Sequence, residues 1–286
     1  MKKVQFTFEE GATIRNVEHF LSEIKRFAGK GDFRLYFRGH GIPAETLMPS
    51  IGRKHYYLGQ SIRFDEPAER NLLMQYRRYA YEHFGRIASM WETLFLARHH
   101  GLPTRLLDWT SNPLVALYFA AFYESEEFVI DNGSAQQGAI KLNVDGTVWG
   151  IQRALDIDEL DVFHEKRSPL RIPGVKLVFP FNPTPRMTAQ SGIFTLHGAP
   201  WTDLVTCAGR SYPAKDLDIV KLIKWKVRST DKTEIVLDLE RLAINSRTLF
   251  PDLEGLARGL WQTEIIRKCF QESAESGTEE CREGCR

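Results

Sequence analysis

The sequence predicts an α+β fold, with helices concentrated in the first half of the chain and strands in the second. Three observations lead there. Residues 13–28, TIRNVEHFLSEIKRFA, place Ile14, Val17, Leu21, Ile24 and Phe27 at helical spacing. Residues 66–88 are long, charged and aromatic, with Leu72, Leu73, Tyr76, Tyr79, Phe84 and Ile87, and read as one or two helices, extended by MWETLFLAR, residues 90–98. Four later runs, 138–144, 175–181, 192–198 and 219–227, are short and rich in apolar and β-branched residues, as strands are.

The remaining elements follow in order. Gly29 and Gly31 end the first helix. FRLYFRGH, residues 33–40, reads as a strand in which Phe33, Leu35 and Phe37 alternate with Arg34, Tyr36 and Arg38. Gly39 is expected to break it, leaving Arg38 at a strand end on the face away from Phe37. Gly101 and Pro103 close the helical region and give residues 99–113 an irregular backbone. Asn112-Pro113 supplies an N-cap and an N1 proline for a helix through LVALYFAAFYESEE. Residues 131–138 read as a loop, and 151–158 and 231–242 as short helices. A terminal helix is expected from Ser246, with Pro251 at its start. No repeat or linker divides residues 1–265, which read as one domain. Residues 266–286 form a polar tail with almost no apolar content, expected to be disordered.

Composition narrows the function classes. Formal net charge is +1, so no bulk field draws the chain to nucleic acid or acidic lipid, although a local basic patch is compatible with it. The opening MKKVQFTFEEG lacks the apolar core of a signal peptide, and no window of about 18 apolar residues appears, so a cytoplasmic protein with no membrane partner is expected. Three of four cysteines (Cys269, Cys281 and Cys285) crowd the tail and only Cys207 lies in the body, which is not a disulfide framework. Cys281 and Cys285 lack the second ligand pair of a zinc site, and no metal is expected.

Two stretches carry chemistry. HHGLPTRLLDWTSNP, residues 99–113, sets two His, Arg105, Asp108, Thr110, Ser111 and Asn112 on a backbone anchored by Leu102, Leu106 and Leu107. Fixed polar groups are what a binding site needs. The structural alternative is an internal Arg105–Asp108 ion pair, or Asp108 capping a turn. Arg38, followed by Gly39 and His40, suits a phosphate or carboxylate, because guanidinium gives bidentate contacts and keeps its charge. Gly39 would let a ligand approach the backbone, and His40 would orient phosphate or act as a base. The structural alternatives are a surface salt bridge for Arg38 and a structural hydrogen bond for His40. Walker, G-x-G-x-x-G and G-x-S-x-G patterns are absent.

YFRGH with GLPTRLLDWTSNPLVALYFA resembles the FRG domain family, named for its Phe-Arg-Gly motif. The resemblance continues in RMTAQSGIFTLHG (186–198) and LFPDLEGLARGL (249–260), and spans roughly residues 13–262. The same order is similar, less closely, to the ADP-ribosyltransferases of the Arg-Ser-Glu type. Arg38 resembles their first-strand Arg, Trp109-Thr110-Ser111 with PLVALYFA their Ser-Thr-Ser strand and helix, and Gln190 the first position of Gln-x-Glu. That resemblance implies a mixed, mostly antiparallel split β-sheet core of ADP-ribosyltransferase type. It implies NAD as substrate, with Arg38, Gly39, His40, Arg105, Thr110, Ser111 and Gln190 holding it. Gly192 stands where those enzymes carry their catalytic Glu, so Glu254 or Asp108 would serve beside Arg38. Such an enzyme would modify protein or nucleic acid as a toxin or anti-phage effector, with an antitoxin or chaperone as the kind of partner that restrains it. Two other classes stay open: a non-catalytic nucleotide or nucleic-acid binding module, using Arg34, Arg38, Arg53, Lys54 and Arg105, and a metal-dependent hydrolase or nuclease using Asp108 and His40.

Overall fold

A seven-stranded sheet gathers segments from both halves of the chain, and helices cover it. The computed structural model describes residues 3–29, 34–122, 129–131, 134–136, 144–153, 160–180, 184–213, 216–265 and 267–268. In chain order the elements are β1 (Lys3–Gln5), β2 (Thr7–Ile14), α1 (Val17–Ala28), β3 (Leu35–His40), β4 (His55–Tyr57), β5 (Gln60–Ile62), α2 (Glu66–Phe84) and α3 (Met90–His99). Then come β6 (Leu106–Thr110), α4 (Pro113–Ala121), β7 (Val129–Asp131), β8 (Ser134–Gln136), β9 (Gly146–Arg153), β10 (Val175–Val178) and α5 (Pro185–Ala189). They are followed by β11 (Gly192–His197), α6 (Leu204–Cys207), β12 (Ser211–Pro213), β13 (Ile219–Val227), α7 (Lys232–Arg241) and α8 (Ser246–Leu249). Residues 253–265 are helical. No described helix is long and apolar enough to cross a membrane.

The expected α+β class and mostly antiparallel sheet hold. The strand order is β10-β11-β6-β3-β9-β13-β2, and only β13–β2 is parallel. Within it β3 and β6 are joined by a single residue pair, Phe37 with Thr110, whereas β3 and β9 share six, Leu35 to His40. The sheet is thus continuous in order but parts between β3 and β6. One apolar cluster, including Phe20, Phe27, Phe37, Val115, Val148, Trp225 and Leu239, fills the space under α1, α4 and α7. A second, with Tyr36, Trp109, Trp149, Leu177 and Ile193, covers the opposite face. A third joins α2 and α3 to β6 and β11 through Leu73, Leu94, Phe95, Leu106 and Phe194.

Several expectations are corrected. α1 begins at Val17, where Asn16 accepts from the His19 N–H, and residues 7–14 form the edge strand β2 instead of an approach to the helix. Exposed and half-buried residues alternate along most of β2, so it lacks the apolar run of an inner strand. Leu21, expected on the apolar face of α1, is exposed. Gly39 does not end β3, which continues through His40. Residues 106–110 are a strand flanked on both sides, by β11 and β3, not irregular backbone. Residues 151–153 close β9 and are not helical, and 154–159 lie outside the described residues. Residues 129–131 pair with 134–136 where a loop was expected over 131–138. The strand expected over 138–144 lies, but for residue 144, outside the described residues, as do Cys269, Cys281, Cys285 and nearly all of the tail. The terminal helix is two pieces, because α8 ends before Pro251, whose ring disfavours helix at the residue before it. α4 starts as expected, with the Asn112 side chain accepting from Leu114 N–H and Pro113 at N1. β10, β11, β13 and α7 fall within two or three residues of their expected places.

Candidate functional site

The site lies where β3 and β6 part. Strand alternation buries Phe37 against Phe20 and Trp225 and turns Arg38 the other way. Arg38 Nε donates to His40 Nε2 at 3.0 Å, and Nη1 donates to the Asp108 carbonyl at 2.8 Å and to Oδ2 at 3.3 Å. On α3, one residue before the His99-His100 pair, Arg98 Nε donates to both Asp108 oxygens at 3.1 Å, its Nη2 also pairs with Oδ2, and Nη1 reaches Ser50 Oγ at 3.3 Å. Asp108 is therefore clamped between two guanidinium groups, yet its side chain remains 42% exposed.

Around this cluster is a cavity of about 610 Å³. Its walls include Arg38 and Gly39 of β3, Arg98, His99 and His100 at the end of α3, Asp108 to Thr110 of β6, Phe119 of α4, Arg186 of α5, Gln190 and Gly192. Trp109 and Phe194 are buried behind the surface, whereas Phe119 is half-buried. The Arg186 guanidinium lies 4.5 Å above the Phe250 ring. Among the described residues Arg186 makes no ion pair, so its donors remain open to a ligand.

Charge in the cavity is unbalanced, with three arginines facing one carboxylate. Burial lowers the Arg38 pKa to about 10, with Asp108 opposing and Arg98 and Arg53 assisting, and leaves it a cation at neutral pH. Burial pushes Asp108 upward, but Arg98 and Arg38 outweigh it and hold the carboxyl below its ordinary value. His99 is lowered by burial, His100 and Arg186. His40 falls to about 2, from burial and then Arg38, so it is neutral.

The residues expected from sequence divide accordingly. Arg38, Gly39, Asp108, Thr110 and Gln190 line one cavity. Thr110 Oγ1 is committed, donating to the Gln190 carbonyl at 2.7 Å. Gln190 follows α5 as its cap, and its Nε2 donates to the Leu249 carbonyl at 3.2 Å. His40 does not line the cavity, and its Nε2 accepts from Arg38. Arg105 is corrected outright. It pairs not with Asp108 but with Glu69 of α2, through Nε–Oε1 at 3.0 Å and Nη2–Oε2 at 2.6 Å, both side chains fully buried and away from the cavity. Ser111 is exposed and does not line the cavity. Glu254 is 81% exposed on the helix 253–265, paired to Arg258 at 3.0 Å, also outside the lining. Gly39 serves packing: a Cβ there would meet the Ala116 carbonyl at 1.9 Å.

Sequence reasoning missed Arg98, Arg186 and Phe119. Arg98 stands one residue before the block 99–113, and its helix positions it over Asp108. Arg186 and Phe119 reach the cavity only through the packing of α5 and α4 beside β6, which no local pattern announces. Among the described residues no group of three or more His, Cys, Asp or Glu is placed to hold a metal ion. His40 and Asp108, the proposed pair for a metal hydrolase, are separated by the Arg38 side chain that bonds to both.

No curated protein and no solved structure matches this chain. One family model does, that of the FRG domain, over residues 34–128. The matched stretch holds β3 with its Phe-Arg-Gly, the β4–β5 hairpin, α2, α3, β6 and α4. Segments 186–198 and 249–260, which supply Arg186, Gln190 and Phe250, fall outside it. The wall of the cavity formed by β3, α3, β6 and α4 is thus built by one segment, the residues 34–128 that match the FRG domain model.

Proposed function

We propose that the cavity binds a nucleotide through its phosphates, that NAD is the ligand, and that ADP-ribosyl transfer is the reaction. The observation that supports this most directly is Arg186, which makes no ion pair among the described residues and faces a cavity lined by Arg38, Arg98 and, among the described residues, one carboxylate. A volume of about 610 Å³ suits a small-molecule ligand of that size. Guanidinium donors suit a pyrophosphate, and Phe119 offers an aromatic surface to a base. In the transfer reaction the bond from ribose to nicotinamide breaks, the electron pair leaves with nicotinamide, and an acceptor nucleophile takes the ribose carbon. Asp108, ionised and partly open to the cavity, is the group able to stabilise the positive ribose. On the same reading the sheet is the core of an ADP-ribosyltransferase-type fold, and the chain acts as a toxin or anti-phage effector.

Calorimetric titration with NAD and ADP-ribose tests the binding step. Arg186→Ala, at an exposed residue, is expected to weaken NAD about 10- to 100-fold, the loss of charge-assisted hydrogen bonds. Equal affinity in variant and wild type would refute the assignment. Nicotinamide release and label transfer to lysate components test the chemistry. NAD binding without either would favour a second reading, a non-catalytic nucleotide-binding module. The observation behind that reading is that both Asp108 oxygens already accept from Arg98.

A further inference from the structure

Beside the cavity stands a two-stranded hairpin whose surface the nucleotide reading does not use. β4 and β5 pair with each other and with no other described strand. At the turn, Tyr57 opposes Gln60, so Leu58 and Gly59 form a two-residue connection with φ of +49° and +75°. Positive φ at both places is what a tight hairpin turn demands, and a leucine there is strained. Adjacent strand residues point to opposite faces, yet Tyr56 and Tyr57 are 75% and 70% exposed and Leu58 is 85% exposed. Neither face is covered, and neither tyrosine ring contacts another aromatic ring among the described residues.

The charged residues within the hairpin segment itself have one sign. Residues 51–63, IGRKHYYLGQSIR, hold Arg53, Lys54 and Arg63 and no Asp or Glu, in a chain whose net charge is only +1. All three are exposed. The hairpin is also rooted at the cavity. The Ser50 carbonyl accepts from Arg53 N–H at 3.2 Å and lies 2.9 Å from His55 Nε2, while Ser50 Oγ accepts from Arg98 at 3.3 Å.

We propose that the β4–β5 hairpin is a docking surface for single-stranded nucleic acid, offering Tyr56 and Tyr57 to bases and Arg53, Lys54 and Arg63 to phosphates. Stacking rings interleaved with cations are the chemistry by which unpaired strands are held without sequence preference. A lipid surface would be met by a larger aliphatic tip than one leucine following two phenols. The surface deepens the reading of the cavity, on which it rests only for the chemistry: the target whose modification the cavity would carry out is a polynucleotide, delivered along the hairpin toward Arg98.

The test is fluorescence anisotropy of the full chain with labelled oligouridylate RNA and oligothymidylate DNA of about 12 nucleotides, across a salt series. Wild type is expected to bind, more weakly as salt rises. Tyr56→Ala with Tyr57→Ala should weaken binding about 10-fold or more without changing the salt slope. Arg53→Ala with Lys54→Ala should weaken it and flatten the slope by about 1.4. The tyrosine double variant should keep the wild-type melting temperature and NAD affinity, since both rings are exposed and outside the cavity lining. Wild-type affinity in both variants would overturn the proposal. So would absence of oligonucleotide binding by the wild type. Binding instead to phosphatidylcholine vesicles containing phosphatidylserine would transfer the surface to membranes and overturn it equally. Oligonucleotide binding without any NAD binding would sink the cavity reading and leave this one standing.

Discussion

Three consecutive residues of the Phe-Arg-Gly motif do three different things. Phe37 joins the apolar cluster beneath α1 and α4, Arg38 turns to the cavity and holds Asp108, and Gly39 leaves room for α4. Arg38 was legible as a site residue because an arginine on the face of a strand opposite a buried Phe has to find a polar partner. Arg105 was not, because its partner Glu69 lies 36 positions away on α2. Removing one member of this buried pair leaves the other charge uncompensated in the interior. Glu69→Ala is expected to destabilise the fold by about 3–5 kcal/mol, measured by urea denaturation. Replacing both residues by apolar ones of similar volume should cost much less. A single variant as stable as wild type would show that the pair is solvated after all.

At the scale of elements, the tightest contact is α4 on the sheet. A Cβ at Gly39 would lie 1.9 Å from the Ala116 carbonyl, and one at Gly146 would lie 2.2 Å from the Ala120 carbonyl. Ala116 and Ala120, one turn apart, therefore sit directly on two neighbouring strands, β3 and β9. The obstructing atoms are backbone and cannot swing aside. Gly39→Ala is expected to cost about 3 kcal/mol or more and to enlarge the cavity wall that Phe119 forms, since α4 must lift. A melting temperature within a degree or two of wild type would contradict this close packing. The helix itself was legible in Asn112, Pro113 and the apolar run, since caps act locally. Its depth on the sheet was not, because glycine in a sequence reads first as a break. The same misreading ended β3 two residues too early and made 106–110 a loop. A strand held from both sides by β11 and β3 needs no long apolar run of its own to be stable.

At the scale of the whole molecule, stability is tied to two histidines kept neutral. Burial first, and Arg38 second, lower His40 to about 2; burial lowers the fully buried His197 to about 3, opposed by a backbone contact with Thr202 and aided by Arg105. The unfolded chain takes up protons at both below pH about 6.5, and the native protein does not. Stability is therefore complete above that pH and falls as pH drops from 6.5 toward 3, by up to about 1.4 kcal/mol per pH unit for each histidine. Asp108, held low by Arg98 and Arg38 against burial, adds a loss of the same sign only below pH about 4. Urea denaturation at pH 7.5 and 5.5 should show the decline; a flat profile would mean that these rings protonate in the folded state.

What the sequence by itself determined is local. Periodicity located α1, α3, α4 and α7 and the strands β3, β10, β11 and β13, capping located the start of α4, and the mixture of polar groups beside Gly and Pro marked residues 99–113. These signals act within a turn or a strand's length, so one chain suffices to read them. Tertiary structure alone decided which charge answers which: Arg105 to Glu69, Asp108 to Arg98 and Arg38, and Arg186 to an aromatic ring instead of a carboxylate. It also decided that β3 and β6 share one pair and part there. Ion pairing and cavities depend on distances between segments tens of residues apart. Those distances are fixed only once the apolar clusters on both faces of the sheet have packed.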